Sequence, residues 1–110
     1  MEVYEINGPY FFGAGNRAEE MMQRFGNDPK VRIIRMRKVP FIDSTGLHNL
    51  ENLCLMSKKE NVQIVLSGVN PKVEAVLVKN GFIELLGREN ICNHIDIALA
   101  RAKEIVSSPL

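Results

Sequence analysis

Hydrophobic and polar positions divide the 110 residues into short alternating runs and longer runs of helical period. Val3-Tyr4-Glu5-Ile6 alternates and is β-prone, and Asn7-Gly8 after it tolerates the positive φ of a two-residue hairpin turn. Pro9-Tyr10-Phe11-Phe12 would be the return strand, with its proline where no ladder donor is needed. Asn16 with Glu19 resembles a capping box, and Ala14, Ala18, Met21, Met22 and Phe25 recur at helical spacing. Gly26-Asn27-Asp28-Pro29 ends that helix. Val31 to Met36 is apolar on both faces, as a strand covered on two sides would be.

The next stretch organises the rest. Val39-Pro40-Phe41-Ile42-Asp43-Ser44-Thr45-Gly46-Leu47 reads as a strand end, a tight turn and a helix start. From Ser44 to Asn61 the period is helical, with Leu47, Leu50, Leu53 and Cys54 on one face. Glu51, Ser57 and Lys58 are more polar positions. Lys58 and Lys59 suit the last turn, and Asn61 is a left-handed stop. Val62 to Leu66 is the following strand, closed by Ser67-Gly68. Asn70-Pro71 is an N-cap and first-turn pair for a helix through Val73, Val76 and Leu77, ending at Asn80-Gly81. Phe82 to Leu86 fits either a strand or a helical turn. Asn93 with Asp96 caps a last helix whose inner face is Ile95, Ala98, Leu99, Ala102 and Ile105. Strand–helix–strand alternation predicts one α/β domain over residues 1–106 with a flexible tail at 107–110. The sheet is expected to be mixed, with about four strands including the N-terminal hairpin, packed by about four helices.

Charge and cysteine content narrow the function. The formal net charge is +1, so no broad field is available to hold nucleic acid. Cys54 and Cys92 suit a reducing compartment better than a disulfide scaffold. No apolar run reaches the length of a bilayer span, so this chain is expected to be soluble, whether alone or as a piece of a membrane protein.

Catalytic motifs fail when tested. There is no Gly-x-x-x-x-Gly-Lys-Ser/Thr loop. Gly13-Ala14-Gly15 begins a dinucleotide fingerprint that Ala18 breaks. The nucleophile elbow is absent. His48, one turn beyond Ser44, points away from a helix-start hydroxyl, and His48 itself reads as a boundary residue. Cys92-Asn93-His94 is half a metal site with no further ligands at suitable spacing. Neither a cofactor nor a metal is expected, and the chain does not read as an enzyme.

The Asp43-Ser44-Thr45-Gly46 corner remains. Capping alone accounts for its residue types. A helix start also offers free N–H donors and partial positive charge, so an anion or nucleotide could bind weakly there. Arg35, Arg37 and Lys38 either lie solvated over the sheet or form an anion-attracting rim beside the corner. A phosphate on Ser44 would add roughly −1.5 to −2 charges to any docking surface.

In this register of elements, Asp43-Ser44-Thr45-Gly46-Leu47 resembles the STAS domain. That family includes bacterial anti-sigma factor antagonists and the cytoplasmic C-terminal domains of SulP anion transporters. Gly8-Pro9-Tyr10-Phe11-Phe12-Gly13-Ala14 resembles the Gly-Pro-Leu-Phe-Phe-Gly-Ala opening of transporter domains. Leu47-His48-Asn49-Leu50-Glu51 is similar to their Leu-His-x-Leu-Glu continuation, whereas antagonists typically carry glycine in the place of His48. The resemblance implies a regulatory or interaction domain of a sulfate transporter at the cytoplasmic face of the membrane. Its partners would be the transmembrane region of the same transporter and a cytoplasmic regulatory protein. Docking residues would be Asp43, Ser44, Thr45, Gly46 and His48. Of Phe11 and Phe12, strand alternation turns one to the core and leaves the other to touch the membrane region or another protein. The antagonist branch implies instead a free-standing switch phosphorylated on Ser44.

Overall fold

The computed structural model describes residues 2–7 and 30–107. The expected return strand, the Asn16 helix, Phe11, Phe12 and residues 108–110 lie outside them. Three strands form one sheet in the order β1 (Glu2–Asn7), β2 (Val31–Lys38), β3 (Gln63–Ser67). Both pairings are parallel, with Val3 opposite Ile33 and Ile33 opposite Val65. Among the described residues every pairing is therefore parallel. Beyond β3, Ile91 bridges Leu66 in parallel, and the Cys92 N–H donates to the Leu66 carbonyl at 2.8 Å. That bridge holds the chain on the far side of β3 without building a fourth full strand.

Four helices are described: α1 (Ser44–Lys59), α2 (Pro71–Lys79), α3 (Phe82–Leu86) and α4 (Ile95–Ser107). The ambiguous Phe82–Leu86 run is helical. Gly81, at φ 84°, reverses the chain after α2 and leaves Phe82 to enter the core. A 3₁₀ turn, Arg88–Asn90, follows. α1 closes with Asn61 at φ 62°, the left-handed stop its sequence predicts. α4 starts at Ile95, and its cap differs from the expected one. The His94 ring Nδ1 accepts the Asp96 N–H at 3.0 Å, and the His94 carbonyl accepts from Ala98. Histidine therefore does the work expected of Asn93.

Alternation along β2 sorts the core into two layers. Ile34 and Met36 face α1, α2 and α3, where Leu50, Leu53, Cys54, Val73, Leu77 and Phe82 close a large cluster with Ile64 and Leu66. Val31 and Ile33 face α4, where Ala98, Ala102 and Ile105 pack on Val65 and Cys92. The alanines let α4 lie close to the sheet. Each fully buried large side chain contributes about 1.5–3 kcal/mol.

Two buried polar residues, Ser57 and Arg32, stand out, Ser57 against its reading as a more polar position. Ser57 is buried because it follows Leu53 and Cys54 by one turn, on the core face. Its carbonyl accepts both the Glu60 and Val62 N–H groups, which turns the chain back toward β3. Arg32 is 1% exposed, its stem running under the sheet toward Glu60, 3.8 Å from the guanidinium.

Candidate functional site

Parallel strands that feed helices place their loops along the carboxyl edge of the sheet, the usual place for sites in α/β folds. The β2–α1 and β3–α2 loops both lie there.

The β2–α1 loop alternates anchor and display. Val39 is buried, and its N–H donates to the Met36 carbonyl at 3.0 Å. Pro40 is exposed, and Phe41 is 58% exposed. Ile42 turns back into the core. Asp43 then caps α1 from extended backbone, φ −93° and ψ 179°. Its Oδ1 accepts the Gly46 N–H at 2.8 Å, and its carbonyl accepts the Leu47 N–H at 2.8 Å. The Asp43 carboxylate is thus engaged with its own helix. Ser44 and Thr45 stand exposed in the first turn, and Gly46 is buried beneath them.

His48 is exposed on the next turn, while Leu47 beside it is partly buried. The His48 Nε2 lies 3.3 Å from the Asn52 amide nitrogen, which ties the ring along the helix. Asp43, Ser44, Thr45 and His48 therefore share one exposed shoulder at the head of α1. Gly46 lies buried beneath them and donates its N–H to the Asp43 carboxylate.

The cations at the end of β2 are largely answered. Arg37 Nε donates to Glu5 Oε1 at 2.5 Å, and Lys38 Nζ lies 3.7 Å from Glu5 Oε2. The Arg37 hydrogen bond, with the neighbouring positive charges, holds the Glu5 carboxyl below the usual carboxylate range. Glu5 also ties β1 to the strand end that leads into the corner. Arg35 is half-buried. This arrangement favours the solvated-stem reading of Arg37 and Lys38.

The cysteines are set in different surroundings. Burial pushes the Cys54 thiol up to about 12, which leaves it a protonated core side chain at neutral pH. Burial also raises the Cys92 thiol, which lies 3.5 Å from the Glu89 carbonyl. His94 is turned to Asp96, 3.5 Å from its carboxylate. Among the described residues no three histidine, cysteine or acidic side chains converge as a metal site.

Two residues of the site were missed in the sequence. Asn70 is legible as the α2 cap, and its Oδ1 does accept the Val73 N–H at 2.8 Å. Its amide nitrogen also reaches across to the Val39 carbonyl at 3.1 Å and the Pro40 carbonyl at 3.3 Å. Gly68, at φ 69°, backs onto β2, where an added Cβ would sit 2.9 Å from both the Arg37 Cβ and its backbone N. The Ser67-Gly68 pair signals a turn, but no local pattern reveals what the turn touches.

Comparison with known proteins fits this geometry. The STAS domain model matches residues 2–98. The chain belongs to the STAS domain family. Among solved structures it is similar to the sulfate transporter family protein of Wolinella succinogenes, at 45% identity and TM-score 0.87, covering 97% of this chain and 88% of that one. It is also similar to the STAS domain of the SulP transporter of Vibrio cholerae, at 34% identity and TM-score 0.83, covering 97% and 84%. Among curated sequences, Sulfate transporter 1.3 of Arabidopsis thaliana is 30% identical over 98 residues, 78% of this chain and 15% of the transporter. The chain spans less than a fifth of the length of the sulfate transporters it matches. Within the family this STAS domain therefore resembles the SulP transporter branch. No helix among the described residues is long and apolar enough to cross a membrane.

Proposed function

We propose that this STAS domain is the cytoplasmic regulatory domain of a SulP-type anion transporter, with sulfate as the transported ion. It acts by docking at the head of α1, with no catalytic step of its own. Its principal partner is the transmembrane region of the same transporter, and a cytoplasmic regulatory protein is a second candidate for the same shoulder.

The likeness to SulP domains supports the transporter assignment. The observation that carries the docking site is the division of labour in the β2–α1 loop. Val39 and Ile42 are committed to the core, and Asp43 is committed to its helix. Phe41, Ser44, Thr45 and His48 are left on the surface, an apolar ring beside two hydroxyls and an imidazole. A surface of that mixed character on a rigid helix start suits protein contact.

The test is sulfate uptake by the full-length transporter carrying Thr45→Glu. An acidic residue in the first turn favours the helix dipole, so the domain keeps its stability. Uptake per transporter molecule at the membrane should fall several-fold. Unchanged uptake with the substitution present would remove the corner from the mechanism.

A further inference from the structure

We infer that Asn70 is the positioning residue of the α1 corner, and that it sets the corner's geometry from the neighbouring helix. The inference rests on the docking reading only for its consequence; the positioning itself is a property of the folded domain.

One side chain makes two kinds of bond. The carbonyl oxygen of the Asn70 amide caps α2 by accepting from Val73, and the Asn70 backbone carbonyl accepts from Glu74 at 2.8 Å. Its NH₂ group donates to the carbonyls of Val39 and Pro40, 31 and 30 residues away. An asparagine amide supplies acceptor and donors at once, whereas aspartate and serine at the same position keep the capping oxygen. Capping alone therefore leaves asparagine interchangeable with them. The second set of bonds requires the amide.

The carbonyls it holds sit where the loop leaves the sheet. Val39 is buried beside the clamp, and the ring of Pro40 fixes its own φ. Phe41 follows Pro40 directly, so the direction in which the exposed ring leaves the sheet is set at the clamped peptides. Gly68 brings the β3–α2 loop against Arg37, and this close approach carries Asn70 within reach. The β3–α2 loop is thus held against β2 at Gly68 and against the β2–α1 loop at Asn70, so α2 cannot shift at its N-terminus without loosening Val39 and Pro40. A partner that pulls on the head of α2 would reach the docking shoulder through this one side chain.

Five amide hydrogens separate the roles. Val39, Gly46 and Leu47 N–H report the corner through their bonds to Met36 and Asp43. Val73 and Glu74 N–H report the α2 cap. Hydrogen exchange by NMR would be measured on the wild-type domain and on Asn70→Asp, Asn70→Ser and Asn70→Ala. Asn70→Asp and Asn70→Ser keep the capping oxygen, so Val73 and Glu74 should exchange within about twofold of wild type while Val39 and Gly46 speed up by about fivefold or more. Asn70→Ala should accelerate both groups. If Asn70→Ser leaves the corner amides unchanged, or accelerates all five alike, the positioning role is refuted. This experiment contains no partner, so its failure would leave the docking reading standing, and failure of docking would leave this result standing.

Discussion

Two helices begin side by side at the carboxyl edge of this sheet, and they are capped by the same chemistry for different ends. α1 starts from Asp43, α2 from Asn70, and each cap accepts from the N–H three residues on at 2.8 Å. The α1 cap is self-contained: its side-chain bond to the Gly46 N–H stays within its own first turn. The α2 cap reaches out and holds the loop that leads to α1. After Asp43 come two exposed hydroxyl residues. After Asn70 comes Pro71, which offers no N–H and fixes its own φ. One helix start is built to display, and its neighbour is built to hold. Residue type alone hides this, because aspartate and asparagine are near-equal N-caps.

The sharpest way to break the pairing is at Gly68. Gly68→Val must place a branched side chain at φ 69° and against the Arg37 backbone. We expect a loss of about 3 kcal/mol or more, read as a large drop in the chemical denaturation midpoint. A loss under 1 kcal/mol would mean that the β3–α2 loop is not packed against β2 at Arg37.

The caps should then differ in cost. Asp43→Ala removes one cap and should destabilise by about 1 kcal/mol. Asn70→Ala removes a cap and also leaves the Val39 and Pro40 carbonyls without their donor, for about 2 kcal/mol. Equal losses would show the cross-loop bonds to be energetically empty.

Acid sharpens the comparison from the β1 side. Glu5 holds Arg37 and Lys38 at the strand end that precedes the corner, and its folded-state carboxyl is lowered mainly by Arg37. The stability it contributes is fully present above its unfolded-state value and is lost as pH falls through the lowered folded one. Wild type should therefore show an acid-side loss that Glu5→Gln lacks. The pair is exposed, so the difference should be small and should shrink further in high salt.

The smallest stability effect should come from the display residues. Ser44→Ala and Thr45→Ala should change stability by about 0.5 kcal/mol or less, because the side-chain cap of α1 belongs to Asp43. A larger loss, measured by thermal unfolding, would make these hydroxyls part of the scaffold.

Much of this architecture could be read along the chain, because its signals are local. The helical period from Ser44, the Asn61 stop, the Asn70-Pro71 start and the α4 inner face all follow from spacing and capping. What could not be read depends on contacts between distant segments. Nothing near Asn70 announces Val39. Nothing near Ser57 announces burial except its place one turn after Cys54, and a polar residue there is easily assigned to solvent. Arg32 is the cation inside a strand covered on both faces, and its long stem lets it lie buried, an arrangement the run Val31 to Met36 does not announce. His94 became a cap because its ring nitrogen can accept as an asparagine oxygen does, a substitution that propensities rank low.

The central claim is that the head of α1 is a docking surface in the assembled transporter. Hydrogen exchange across residues 41–48, compared between the isolated domain and the full-length protein in the membrane, tests it most directly. Docking predicts that the Gly46 and Leu47 amides exchange at least several-fold more slowly in the full-length protein, while Val73 and Glu74 at the head of α2 stay much as they were. Equal exchange at residues 41–48 in the two forms would contradict the account.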